Sequence, residues 1–251
     1  MKLHCLGTGG YHPSERRHTP CYYSPDQGIV LDAGTGLFRL PQLLKQQQPQ
    51  KKALDIFLTH AHLDHIVGLT YLLQMPDVER ITVHAEEAKI EAIKQHLFAE
   101  PLFPVVPAVA FRPLAGPVET GSEAAGCRVS WFNLRHPGGS VGYRLDFREQ
   151  SLAYVTDTTA DEHAPYVDHI RNVDLLIHEC NFFDHDRARA ELTGHSCVSD
   201  VGKVARACGA QQLLLIHIDP LIESDDELLA AARKVFPNTE IATDRLSFDI
   251  A

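Results

Sequence analysis

Apolar positions in this chain come mostly in short runs, each followed by a polar or glycine-containing break. The runs at 3–6, 29–31, 56–59, 81–84, 129–134, 142–147, 152–156, 175–178, 213–216 and 246–250 have the length and side-chain content of strands. Stretches with helical spacing fall at 37–47, 64–73, 86–97, 165–171, 197–207 and 225–235. Strands and helices alternate in the first and last thirds, and the middle is strand-rich. That order predicts an α/β protein with two sheets face to face and helices outside, over one domain spanning residues 1–251.

Two segments break the pattern. Residues 98–118 hold Pro101, Pro104, Pro107, Pro113 and Pro117 among Leu102, Phe103, Val105 and Val106. Proline at that density excludes a regular helix. The expectation is a loop packed on the domain, with a pocket wall or dimer contact as the alternative. The tract Gln46-Gln47-Gln48-Pro49-Gln50 reads as a frayed helix end.

Composition narrows the class. Hydrophobic residues make up 44% of the 251 and charged residues 22%, values ordinary for a globular protein. No apolar run is long enough to span a bilayer, and the stretch before Gly7 is too short for a secretory signal, so a cytoplasmic protein without membrane partners is expected. The 6 cysteines are scattered and form no Cys-x-x-Cys pair. A formal charge of −10 without a basic stripe argues against tight, nonspecific nucleic-acid binding. Bound dications would offset part of that charge locally, so an anionic substrate stays possible.

Candidate chemistry lies in the 15 histidines. Thr59-His60-Ala61-His62-Leu63-Asp64-His65 directly follows an apolar strand. Imidazole and carboxylate are ligands that cations such as zinc take. His60 and His62, two apart, point the same way in extended chain, while Asp64 and His65 diverge from them. One loop can therefore serve two neighbouring cations. His136, Asp157 and His217 each follow a strand end, where a sandwich gathers distant residues at one rim.

Together these residues resemble the metallo-β-lactamase-fold hydrolases over nearly the full chain. The resemblance implies a four-layer αββα sandwich of two mixed sheets. It implies one divalent cation on His60, His62 and His136 and a second on Asp64, His65 and His217, with Asp157 bridging. Zinc is the expected metal, with manganese or iron possible for the same ligands. Asp32, in Asp32-Ala33-Gly34, matches a residue that orients the histidine loop. Leu6-Gly7-Thr8-Gly9-Gly10 resembles the family's first strand and turn. Members with a redox-active di-iron site have Glu where His62 stands, which argues against oxygen reduction here.

Within the superfamily, His178-Glu179-Cys180 and Gly194-His195-Ser196 resemble motifs of the ribonuclease Z and phosphodiesterase branch. There a Glu–His dyad protonates the leaving oxygen. Carried over, Glu179 and His195 are catalytic alongside Asp64, and His178 is structural. Cys180, Asn181 and Cys197 depart from the branch pattern. The implied reaction is attack of a metal-bridging hydroxide on a phosphodiester: a small ester, a cyclic nucleotide or an RNA end. Arg135, Tyr143 and Arg144 fall near the rim, but nothing in the sequence distinguishes them from surface residues, and no substrate contact is assigned to them. The branch's RNA-processing enzymes carry a long basic arm, and none is evident, since Arg112 is the only basic residue in 98–118. A short phosphodiesterase is therefore favoured over an RNA-processing endonuclease. A thioester, lactone or other carboxylic ester hydrolase on the same fold is the alternative, and a metal-stabilised scaffold the non-enzymatic one. Resemblance to the branch also makes a homodimer an option.

Overall fold

Both faces of the central strands are apolar, and each face meets a different partner. In the computed structural model, which describes residues 1–47, 49, 51–75, 78–120 and 126–250, the strands form two sheets. The first holds β1 (Lys2–Gly7), β2 (Cys21–Ser24), β3 (Ile29–Leu31), β4 (Ala53–Phe57), β5 (Arg80–Ala85) and β6 (Ala110–Pro113). The second holds β7 (Val118–Thr120), β8 (Cys127–Leu134), β9 (Ser140–Asp146), β10 (Ser151–Val155), β11 (Leu175–Glu179), β12 (Gln212–Ile216) and β13 (Thr239–Ile241). The chain then returns to the first sheet as β14 (Ser247–Asp249). The orders are β14-β1-β2-β3-β4-β5-β6 and β13-β12-β11-β10-β9-β8-β7. In both sheets one half is parallel (β3 to β6, β10 to β13) and the other antiparallel.

Period-two alternation divides each strand between two cores. Leu3, Tyr22, Ile29, Leu31, Tyr154, Ile177, Leu214 and Ile216 meet between the sheets. Val30, Leu54 and Ile56 face outward, onto α1 (Leu40–Gln46), residues 67–74 and α3 (Glu87–Ala92). Ala153, Leu176, Leu213 and Leu215 face α4 (Tyr166–His169), α6 (Val198–Ala207) and α7 (Asp226–Val235) on the other side. The result is the expected four-layer αββα sandwich of two mixed sheets.

Several elements were not predicted. β2 is short and wholly buried, so it shows no alternation. β7 and β13 are three-residue edge strands. α5 (Arg187–Thr193) has no apolar stripe, and its Leu192 is exposed. The proline-rich segment also differs from expectation: it contains β6, where Pro113 is tolerated because β6 is an edge strand. Phe98 and Phe103 pack against the first sheet's outer core, but Leu102, Val105 and Val106 stay exposed, so only part of the segment packs down. In the glutamine tract, Gln48 and Gln50 lie outside the described residues. Gln47 is pinned: its Oε1 accepts from the Tyr23 hydroxyl at 2.6 Å and its Nε2 donates to the Pro25 carbonyl at 2.8 Å.

All 6 cysteines are free and buried, and no helix among the described residues is long and apolar enough to cross a membrane.

Candidate metal centre

The rim where β3, β4, β8, β10, β11 and β12 end gathers the histidines. Its loops are tied across the sheets: Val141 N–H donates to the Thr59 carbonyl at 3.0 Å, and Gly10 N–H to the Ile218 carbonyl at 3.0 Å. Asp32, Asp157 and His217 all have left-handed backbone, with φ of 55°, 51° and 54°. Non-glycine residues occupy that region at a cost of about 1–3 kcal/mol each, and such strain concentrates at functional sites.

The seven ligand candidates come together as two clusters. In one, His62 Nδ1 lies 3.3 Å from His136 Nε2, and the His60 ring centroid is 4.4 Å from that of His62. In the other, His65 Nε2 lies 3.4 Å from His217 Nε2, and each lies 3.4 Å from Asp64 Oδ2. Asp157 sits between them. Its carboxylate is 3.1 Å from His65 Nε2 and 3.4 Å from His217 Nε2, and 3.9 and 3.8 Å from the Nε2 atoms of His60 and His136.

These donors fit a cation. Tetrahedral bonds of about 2.0–2.1 Å put ligand atoms about 3.3 Å apart. The contacts among Asp64, His65, His217 and Asp157 span 3.1–3.4 Å. His60 Nε2 is buried with no hydrogen-bond partner, a costly state for a lone pair unless something binds it.

Hydrogen bonds from behind set the tautomers. His65 Nδ1 donates to Asp32 Oδ2 at 2.9 Å, and His136 Nδ1 to the Gly194 carbonyl at 2.9 Å. His60 Nδ1 lies 3.1 Å from Thr59 Oγ1, whose own proton goes to Asp32 at 3.0 Å. Each of these rings therefore turns an Nε2 lone pair toward the centre. Fully buried Asp32 thus braces both His60 and His65, and it also accepts from the Thr59 N–H at 2.8 Å and the Tyr154 hydroxyl at 2.7 Å.

Electrostatics agree with ligation. Burial holds His60, His62 and His136 below the usual histidine range, which keeps them neutral. Burial pushes His65 the same way, but the carboxylates of Asp157, Asp64 and Asp32 outweigh it and favour positive charge there. Burial works against ionised Asp64 and Asp157, yet the surrounding imidazoles hold both well below the carboxylate range. The cluster is built to neutralise positive charge.

Against this centre stands the second pair. His195 Nδ1 donates to Glu179 Oε1 at 2.9 Å. Glu179 is fully buried and also accepts from the backbone N–H groups of Thr158 at 2.9 Å and Ser196 at 3.2 Å. Burial lowers the His195 pKa, but the Glu179 carboxylate overrides it and raises it to about 9. The His195 ring lies 5.1 Å from His136 and 5.2 Å from His217. His195 is close enough to group with His136 and Asp157, or with Glu179 and His217, as a metal-binding set, a possibility the sequence did not raise. His178 is buried, bonded to Tyr166 and the Glu179 carbonyl, and remote from the centre.

The structure also places the three residues that the sequence left undistinguished from the surface. Tyr143 is buried with its hydroxyl on the Leu58 carbonyl at 2.6 Å, and cannot meet a substrate. Arg144 is engaged by Asp146 and by main-chain oxygens of His169 and Arg171. Arg135 is exposed and lines a groove with Thr158 and Thr159. The sequence also missed residues that act by close approach. A Cβ at Gly10 would lie 2.4 Å from the His217 ring, so the glycine turn makes room for that imidazole. Asn181 Nδ2 donates to the His217 carbonyl at 2.9 Å, and Tyr11 N–H donates to Asp64 Oδ2 at 3.0 Å.

An αββα sandwich with this histidine–aspartate cluster at its rim defines a metal-dependent hydrolase of the metallo-β-lactamase fold. Residues 27–218 match the family described as the beta-lactamase superfamily domain, and the chain belongs to that superfamily. A ribonuclease Z of Archaeoglobus fulgidus is 25% identical over 310 residues, covering 100% of this chain and 98% of that protein. A ribonuclease Z of Bradyrhizobium sp. is 27% identical over 304 residues, covering 97% of this chain and 98% of that protein. Both alignments are longer than this chain, so those relatives carry segments it lacks. The metallo-beta-lactamase fold protein YhfI from Bacillus subtilis matches with a TM-score of 0.77 at 22% identity over 99% of each chain. Human short-form tRNase Z matches at 0.74 and 20% identity over 100% of each. At those identities the structural likeness speaks for the fold alone.

Proposed function

We propose that this hydrolase is a phosphodiesterase working with two divalent cations, of which zinc is the first choice and manganese or iron the alternatives. His60, His62 and His136 hold one, Asp64, His65 and His217 the other, and Asp157 reaches both. When bound, such a pair of cations supplies charge neutralisation at a phosphoryl group and an activated water.

The chain's own residues do the rest. Asp32 fixes the histidine loop before any substrate arrives. Asp64 contributes a ligand and, through Tyr11 N–H, secures the loop after β1. His195 carries the proton for the departing oxygen. Glu179 keeps that proton on the ring near neutral pH and holds the ring in place through Nδ1.

One observation carries the assignment: the His195 ring lies 5.1 Å from His136 and 5.2 Å from His217 and is bonded through Nδ1 to the buried Glu179 carboxylate, which favours its protonated form. Phosphodiesters of alcohols need such a donor, whereas a thioester expels a stable thiolate unaided. The ribonuclease Z names of the relatives favour RNA as a substrate, and the segments those relatives have in addition count against carrying their whole activity over. The test is turnover of bis-p-nitrophenyl phosphate, a thioester and a lactone by zinc- or manganese-loaded protein. Phosphodiester cleavage is expected; cleavage of the carboxylic substrates alone would reject the assignment.

A further inference from the structure

The loop between β1 and β2 touches the centre at two points. Gly10 packs so closely on the His217 ring that a Cβ there would lie 2.4 Å from it. Tyr11 N–H donates at 3.0 Å to Asp64 Oδ2, the oxygen that lies 3.4 Å from the Nε2 atoms of both His65 and His217. The tip of the loop has little to hold it there, since residues 11–13, 15 and 16 are all exposed. Segments with few buried contacts open at little cost, so order at the tip has to come from its stems.

Asp244 grips both stems. It lies 236 residues from Thr8 along the chain, in the turn that crosses from β13 in one sheet to β14 in the other. Its side chain is 7% exposed. Oδ1 accepts from the Thr8 N–H at 3.0 Å and from the Thr8 hydroxyl at 2.8 Å. Oδ2 accepts from the His18 N–H at 2.8 Å and from the Arg39 guanidinium at 2.5 Å. Hydrogen bonds to a buried, ionised carboxylate are of the strong kind. The Thr8 hydroxyl also accepts at 2.5 Å from Arg17, which is buried and paired with Asp225 at 2.6 Å. The turn is itself tied to both sheets: Ala242 N–H donates to the Leu215 carbonyl at 2.9 Å, and Arg245 N–H to the Cys5 carbonyl at 2.7 Å.

We propose that Asp244 is a positioning residue for the second cation, the one assigned to Asp64, His65 and His217. Its carboxylate fixes Thr8 and His18, and through them the Gly10 and Tyr11 contacts on His217 and Asp64. The hydrogen bonds of His60 and His136 run elsewhere, to Thr59, to Gly194 and, for His136, to His62. Loosening the loop therefore weakens one cation and spares the other. The inference rests on the proposed pair of cations and adds a residue outside the ligand set that governs only one of them.

Zinc affinity, measured by competition with a chelator in two backgrounds, tests this. His62→Ala with His136→Ala keeps only the second site, and His65→Ala with His217→Ala keeps only the first. Where the second site remains, Asp244→Asn should weaken zinc about tenfold; where the first remains, it should change nothing. Thr8 gives a milder pair of variants should Asp244→Asn fail to fold. Thr8→Val keeps the shape but loses the hydroxyl, and should weaken zinc at the second site alone. Thr8→Ser loses a buried methyl but keeps the hydroxyl, and should bind zinc as the native residue does. Equal losses in both backgrounds would overturn the proposal. So would native affinity with both Asp244→Asn and Thr8→Val, or Thr8→Ser binding as weakly as Thr8→Val. No zinc binding in either background before Asp244 or Thr8 is changed would overturn the pair of cations, and this role with it.

Discussion

On the proposed mechanism, the buried Glu179 carboxylate sets the pH range of the reaction. Its charge raises His195 to about 9, and in the proposed mechanism the protonated ring is the form that donates. Bound dications would pull that value down, so turnover of a poor leaving group should fall as pH rises through a limb somewhat below 9. Glu179→Gln removes the raising charge, so the alkaline limb should move to lower pH; an unmoved limb would assign that titration elsewhere. His195→Ala should slow a methyl phosphodiester by about 10²–10⁴-fold. It should slow a p-nitrophenyl ester far less, because p-nitrophenolate hardly needs protonation; equal losses would remove His195 from proton delivery. Asp32→Ala unties His60 and His65 together, and metal affinity measured by competition with a chelator should drop about 10–100-fold. At this scale the clustering of the candidate ligands was legible, because His-x-His-x-Asp-His after a strand leaves few other readings. The left-handed backbone at Asp32, Asp157 and His217, the Tyr154 hydroxyl on Asp32 and the clearance at Gly10 were not, since each depends on what the fold brings close.

Strands with two apolar faces explain why the elements themselves were readable. The central strands, β3 and β4 in the first sheet and β10–β12 in the second, are covered on both sides and stand out as apolar runs. The elements that escaped lack that signal: β7 and β13 are edge strands of three residues, and α5 exposes most of its surface. Prolines hid β6, whose edge position makes them harmless. The same layering predicts where mutation costs most. Leu214 lies fully buried between the sheets, so Leu214→Ala should destabilise by about 2–5 kcal/mol in chemical denaturation. Leu192, 82% exposed on α5, should change stability by no more than about 0.5 kcal/mol when replaced by Ala. A comparable cost at both positions would contradict the assignment of the inter-sheet core.

Across the whole molecule, the centre is held by both sheets at once. His60, His62, Asp64 and His65 come from the first, and His136, Asp157 and His217 from the second. A cation bound by both halves favours only the folded arrangement, so it should raise thermal stability; at a thousandfold excess over its dissociation constant the gain is about 4 kcal/mol per site. Chelation should lower the melting temperature correspondingly. The direct test is the metal content per chain, by mass spectrometry of metal-reconstituted protein after dialysis. Two equivalents are predicted for the native sequence, and one when His62 and His136 are both replaced by Ala. Metal absent from the native chain, or a content unchanged by the double substitution, would contradict a paired-cation centre.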